Sequence, residues 1–202
     1  MIPKNIYVFW HQDKLPLVVY KLFLNIKHKN QGFKVTKFCD RDVLKIKDKP
    51  EFFNSVLFND KTRVSDWLRM YLLYHYGGIW IDITCFFISK SLNEVIDVNL
   101  PKVQGFHLFE NVFENWLIAS PPKNKLIKLW LDETEKCLAR KFEYTMENIN
   151  LYQNNHPLHT QLPHLAQHLA FLKIITENNL EDEYKSLGSS ISENNPLNLL
   201  KI

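Results

Sequence analysis

At 202 residues the chain has the length of one domain, and it can bury a core without metal or disulfide staples. A hydrophobic share of 46% with 23% charged residues is an ordinary globular composition, which leaves out disordered and fibrous classes. The formal net charge of +3 is too small to point to nucleic acid. It fits a phosphate-bearing small molecule, a loose peripheral contact with an anionic membrane, or simply a solvated surface.

Along the chain, strand and helix patterns alternate. Ile6 to Trp10 reads as a short buried strand. Leu15, Val18, Val19, Leu22 and Ile26 then recur at helical spacing, with Pro16 where a first turn tolerates it. Phe33, Val35 and Lys37 alternate with Lys34, Thr36 and Phe38, which predicts a second strand. Lys45 to Pro50 is a polar connection, and Phe52, Phe53, Val56 and Leu57 suggest a short helix. Thr62 to Tyr76 reads as a longer helix with Val64, Leu68, Tyr71, Leu72 and His75 on one stripe. Gly77-Gly78, two of only five glycines, closes it. Ile79 to Ile83 follows at once as a strand. Val103–Leu108 and Asn115–Ala119 look like further strands. Ile127, Trp130, Leu131, Thr134 and Leu138 mark a helix after Pro121-Pro122, and Leu162, Leu165, Ala166, Leu169 and Leu172 mark another. The tail from Asn178 is polar, then apolar again at Leu197 to Leu200. This order predicts an α/β domain with a largely parallel sheet, in which ligands bind beyond the carboxyl ends of strands. Trp10 and Asp82 fall at two such ends.

Cys39, Cys85 and Cys137 are far apart and lack C-x-x-C spacing, so neither a zinc site nor a disulfide framework is expected. No secretory leader pattern opens the sequence. The most apolar stretch, Ile79 to Ile88, is about half the roughly 20 residues of a membrane span, and Asp82 interrupts it. The expectation is a cytoplasmic protein in a reducing compartment.

Chemistry concentrates between Ser65 and Phe87. On a helix, Asp66 and Arg69 share a face, as a solvated ion pair or as something more. Asp82 lies in a β run among Ile79, Ile81, Ile83, Phe86 and Phe87. A carboxylate there is costly if buried without a partner. At the strand's end it is a hard ligand for Mg²⁺ or Mn²⁺, with Thr84 on the same side in extended chain, or else a turn residue.

Ser65-Asp66-x-x-Arg69 followed by Tyr71-Leu72-Leu73-Tyr74-x-Tyr76-Gly77-Gly78-Ile79-Trp80-Ile81-Asp82-Ile83-Thr84 resembles the capsular polysaccharide synthesis proteins. These are relatives of glycosyltransferase family 32 and, more remotely, of the large clostridial glucosylating toxins. The opening Ile2-Pro3-Lys4-Asn5-Ile6-Tyr7-Val8-Phe9-Trp10-His11-Gln12 and the later Phe113-Glu114-Asn115-Trp116-Leu117-Ile118-Ala119-Ser120 are also similar, so the likeness covers most of residues 1–175. The resemblance implies a single GT-A (Rossmann-like) domain over residues 1–202, with the tail unassigned. It implies transfer of a sugar from a nucleotide-sugar donor, most often a uridine diphosphate sugar, to a glycan or lipid-linked glycan acceptor. Trp10 would lie at the nucleobase, where an aromatic ring stacks, or else be one more core tryptophan. Asp66 and Arg69 would hold donor-sugar hydroxyls and the neighbouring diphosphate, with Gly77 and Gly78 in the same donor-binding motif. Asp82 would be the first carboxylate of a D-x-D motif that binds Mn²⁺ or Mg²⁺. Thr84 replaces the second carboxylate, which leaves a weaker cation site, one completed elsewhere, or neutralisation by Arg69 or a lysine.

Four histidines come late: His156, His159, His164 and His168. His164 and His168 are four apart, a metal pair or a polar helix face, without the intervening Glu of H-E-x-x-H. Glu110 and Glu114 are acid/base candidates by residue type only. The alternative to an enzyme is a catalytically inactive GT-A-like binding or scaffold module in a glycan assembly complex, favoured by the missing second Asp.

Overall fold

The first strand, β1 (Asn5–Phe9), has Ile6 to Phe9 all buried, as a strand covered on both faces requires. It pairs in parallel with β2 (Lys34–Phe38) on one side and β3 (Gly78–Ile81) on the other, with Ile6 opposite both Val35 and Ile79. The computed structural model describes residues 1–54, 59–109, 112–140, 142–148, 166–189 and 199–201. β3 continues the sheet through antiparallel β6 (Val112–Ser120), which pairs antiparallel with β5 (Val103–Phe109). A parallel edge strand, β7 (Tyr184–Ser189), completes the order β2-β1-β3-β6-β5-β7. The sheet is mixed, with parallel pairing at three of its five junctions, in keeping with the α/β expectation.

Strand alternation divides the core in two. Tyr7, Phe9 and Trp80 join the cluster that holds Trp67, Leu68, Trp130 and Phe171. Ile6, Val8, Ile79 and Ile81 join Val19 and Ile26 on the other side. The first cluster is built by α3 (Lys61–Tyr76), α4 (Lys125–Arg140) and α6 (Ala166–Asn178), with the short α5 (Phe142–Asn148) against α4 and α6. The second is covered by α1 (Leu17–Lys29), which packs on β4 (Cys85–Phe87). Leu15 precedes that helix, because Pro16 takes an extended ψ of 151° just before the first turn.

The helix predicted at Thr62 starts one residue earlier. Asp60 caps it by accepting from the backbone N–H groups of Thr62 and Arg63. The predicted apolar stripe is too narrow. Val64 and every residue from Asp66 to Leu73 are buried, because α3 is wedged between the sheet and α4. Gly77 ends the helix at φ 63°, and a Cβ there would lie 2.5 Å from the Pro122 nitrogen. Gly78 has φ 109°, and its Cβ would lie 2.7 Å from the Asn5 carbonyl oxygen. This close passage lets β3 begin without a loop.

Other boundaries moved. The strand expected over Ile79–Ile83 stops at Ile81, where Cys85 N–H closes a turn onto the Asp82 carbonyl at 3.0 Å. The helix suggested by Phe52 and Phe53 is a 3-10 turn, Glu51–Asn54; Val56 and Leu57 lie outside the described residues. So do Leu162 and Leu165 of the predicted late helix, described from Ala166 onward. Helix α2 (Asp40–Leu44), the short α5 and edge strand β7, which falls in the polar tail, were not anticipated. The apolar end of that tail forms β8 (Leu199–Lys201), antiparallel to β4. Among the described residues no helix is long and apolar enough to cross a membrane.

Candidate active site

Because β1 and β3 are parallel neighbours, their carboxyl ends open side by side. Trp10 stands just past one and Asp82 just past the other, and both line a single cleft of about 260 Å³. Helix α3 supplies the facing wall through Lys61, Ser65 and Arg69, spaced i, i+4 and i+8 on one side of the helix. Thr84 also lines the cleft, from within the Asp82–Cys85 turn rather than from extended chain.

Asp82 is held from three directions. Its N–H donates to the Trp116 carbonyl at 2.8 Å. Its Oδ1 accepts from Arg69 Nη2 at 3.1 Å and from Trp80 Nε1 at 2.9 Å. The side chain remains 26% exposed, so it is anchored yet open to a ligand.

Arg69 is the hub. Only 3% of it is exposed. Nη1 donates to Gln167 Oε1 at 2.6 Å and lies 3.1 Å from Asp66 Oδ1. Nη2 lies 3.4 Å from the Ser65 hydroxyl, and the guanidinium carbon sits 5.2 Å over the Trp80 ring. Its Nε is buried without a partner. A buried cation between two carboxylates is far from the exposed pair that helix spacing alone allows. Burial pushes the Asp66 carboxyl above its usual range, the charges of Arg69 and Arg63 oppose that, and Asp82 adds to it. Asp66 itself does not line the cleft; it backs Arg69 from behind.

Gln167, from α6, binds this hub to the rest of the fold. Its Oε1 also accepts from Asn115 Nδ2 at 2.9 Å, and its Nε2 donates to the Asp66 carbonyl at 2.8 Å. One amide thereby connects α3, β6 and α6. Beside it, His168 Nε2 lies 3.6 Å from Glu114 Oε2, with both side chains buried, and His168 Nδ1 has no partner. Neither residue lines the cleft. His156, His159, His164 and Glu110 lie outside the described residues.

Trp10 is half-buried. It packs partly against the second core cluster while its ring lines the cleft, tilted against His11 at 5.2 Å between centroids. Its Nε1 is buried without a partner. Gly77 and Gly78 stand at the opposite end of β3 from Asp82 and do not line the cleft; their φ angles and close contacts account for them as backbone requirements.

Among the described residues no group of three or more His, Cys, Asp or Glu side chains forms a metal cage. Asp82 and Thr84 nevertheless offer a carboxylate and a hydroxyl on one cleft wall. That hard-oxygen set fits Mg²⁺ or Mn²⁺ when water and phosphate oxygens complete the shell. Sequence reasoning passed over Lys61, Thr62 and His11. Lys61 was within reach, being one turn before Ser65 and two before Arg69. Gln167 carried no signal, since it meets Arg69 across 98 residues.

A mixed sheet with a ligand cleft at the carboxyl edge of its first strands is the architecture of GT-A glycosyltransferases. The structure of the PaToxG glycosyltransferase matches over 89% of this chain and 71% of that one, with a TM-score of 0.60 at 18% identity, a likeness of fold. A glycosyltransferase involved in glycosylation of the major capsid of PBCV-1 matches over 91% and 81%, with 12% identity and a TM-score of 0.45. No curated protein matches the sequence. The family model described as capsular polysaccharide synthesis protein matches residues 1–145, and the chain belongs to that family. The matched span includes every residue that lines the cleft, while Gln167 and α6 lie beyond it.

Proposed function

We propose that the protein transfers a sugar from a nucleotide-sugar donor, a uridine diphosphate sugar, to a hydroxyl of a glycan or lipid-linked glycan in polysaccharide synthesis. The observation that carries this reading is the convergence of Trp10, Arg69 and Asp82 on one cleft. An aromatic face, a fixed cation and a strand-end carboxylate are what a nucleobase, a diphosphate and a sugar or cation require.

In the reaction the bond between the anomeric carbon and the diphosphate oxygen breaks. The acceptor oxygen bonds to that carbon, and its proton is given up to a base or to water. Negative charge collects on the departing nucleoside diphosphate. Arg69 is already oriented by Asp66, Gln167 and Asp82, so it meets that charge with little reorganisation. Asp82 and Thr84 are the residues that would hold Mg²⁺ or Mn²⁺, which supplies further neutralisation of the leaving group. With one protein carboxylate, that cation is expected to bind together with the donor rather than to the empty protein. Trp10 stacks on the base.

Thermal unfolding with a panel of nucleotide sugars, each with and without Mn²⁺, tests this. A matching donor at about 100 times its Kd stabilises the fold by about 2.7 kcal/mol. The expected result is an upward shift with at least one uridine diphosphate sugar, larger when Mn²⁺ is present. Unchanged melting with every nucleotide sugar would contradict the reading.

A further inference from the structure

The outward side of α1 concentrates exposed apolar side chains: Leu17 is 70% exposed, Val18 63%, Tyr20 47% and Leu24 42%. The inward positions Val19, Leu22 and Ile26 already fill the core, so the outer ones are not needed to seat the helix. Leu17, Tyr20 and Leu24 follow one another at i, i+3 and i+7 and form a continuous stripe. The helix contains no Asp or Glu. Lys14, Lys21 and Lys27 are exposed around the stripe, and none of them has an ion pair among the described residues. A recess of about 560 Å³ opens at the first turn, lined by Leu15, Leu17, Tyr20 and Phe23 with Asp13, Lys14 and Lys37. The nearby acidic group, Asp13, is already paired, with Arg41 at 2.7 Å and with Lys37.

We propose that this face of α1 docks on an anionic lipid bilayer. Apolar side chains on a helix lying flat enter the headgroup boundary, and flanking lysines meet lipid phosphates while their stems stay in apolar contact. Charge complementarity selects this occupant. A second copy of the chain, applied through a two-fold axis, would bring together two copies of the same lysine-rich helix face, neither with an Asp or Glu on the helix to offset the charge. Residues 11–16 link Trp10, on the cleft, to the first turn of α1. The surface does not depend on the sugar-transfer reading, and its test reads no transfer.

The experiment is co-sedimentation of the full chain with vesicles of phosphatidylcholine alone or of phosphatidylcholine mixed with phosphatidylglycerol. The expected result is binding several-fold stronger to the phosphatidylglycerol vesicles, falling as salt is raised. Lys21→Glu/Lys27→Glu should lower that partition by about fivefold or more per lysine. Leu17→Ser/Leu24→Ser should also release the protein while melting as the wild type does, since neither leucine is buried. Equal partition onto both vesicles, no binding to either, or binding that both double variants leave intact would overturn the proposal. So would a wild-type dimer in sedimentation velocity that Leu17→Ser/Leu24→Ser makes monomeric, because a second copy would then be the occupant.

Discussion

Arg69 is bound on three sides by Asp66, Gln167 and Asp82, so its guanidinium is set before any ligand arrives. Trp10 has no such restraint on its indole N–H, and its ring is shared between core and cleft. Loss of aromatic stacking on a base is worth about 1–3 kcal/mol, so Trp10→Ala should weaken binding of uridine diphosphate roughly tenfold. Calorimetry with the bare nucleotide checks this, and unaltered affinity would make Trp10 a core residue only. The roles of these two residues were legible in different degrees. Trp10 at the end of an apolar run and Asp82 inside one could be located from local pattern alone. The burial of the Asp66–Arg69 pair could not, because i, i+3 spacing is the same for a solvated pair and a buried hub. Gln167 was silent, since a lone glutamine on a helix becomes important only through a contact with no local trace.

Helix α3 shows why element-scale reading succeeded in kind and failed in extent. Its length and its Gly77 stop follow from the sequence, but its all-round burial is set by α4 and the sheet. Strand β7 went unseen because an edge strand with one neighbour needs no strong hydrophobic alternation. Helices α4, α5 and α6 are joined by Glu133, which accepts from Lys136 at 2.8 Å, Tyr144 at 2.7 Å and Lys173 at 2.7 Å. Burial pushes this carboxyl up, but the three hydrogen bonds outweigh it and hold the group below its usual range. A depressed folded value means the stabilisation is present above the unfolded glutamate range and is lost as pH falls through the folded value. Glu133→Gln should therefore be less stable than the wild type at neutral pH by about 1 kcal/mol, since it weakens charge-assisted hydrogen bonds whose lysine partners keep contact with solvent. The deficit should shrink as pH falls below about 5, where the unfolded carboxyl begins to take up protons. Urea melts at several pH values measure it; a deficit independent of pH would show that Glu133 acts by shape alone.

At the scale of the molecule, parallel pairing of β3 with β1 brings residues some seventy positions apart to one edge. The strand–helix alternation foretold that edge, and the family match over residues 1–145 accounts for the elements that build it. The site rests on one strand-end carboxylate, Asp82, with Thr84 in place of a second. Transfer and scaffold roles divide on that carboxylate. The most direct measurement is release of free nucleoside diphosphate from uridine diphosphate sugars by the wild type and by Asp82→Asn, each with Mn²⁺ and with a chelator. The account predicts turnover by the wild type with Mn²⁺, loss of at least about a hundredfold in Asp82→Asn at unchanged fold, and a comparable loss in chelator. Turnover by Asp82→Asn equal to the wild type would contradict it, as would the absence of turnover from a wild type that binds the donor.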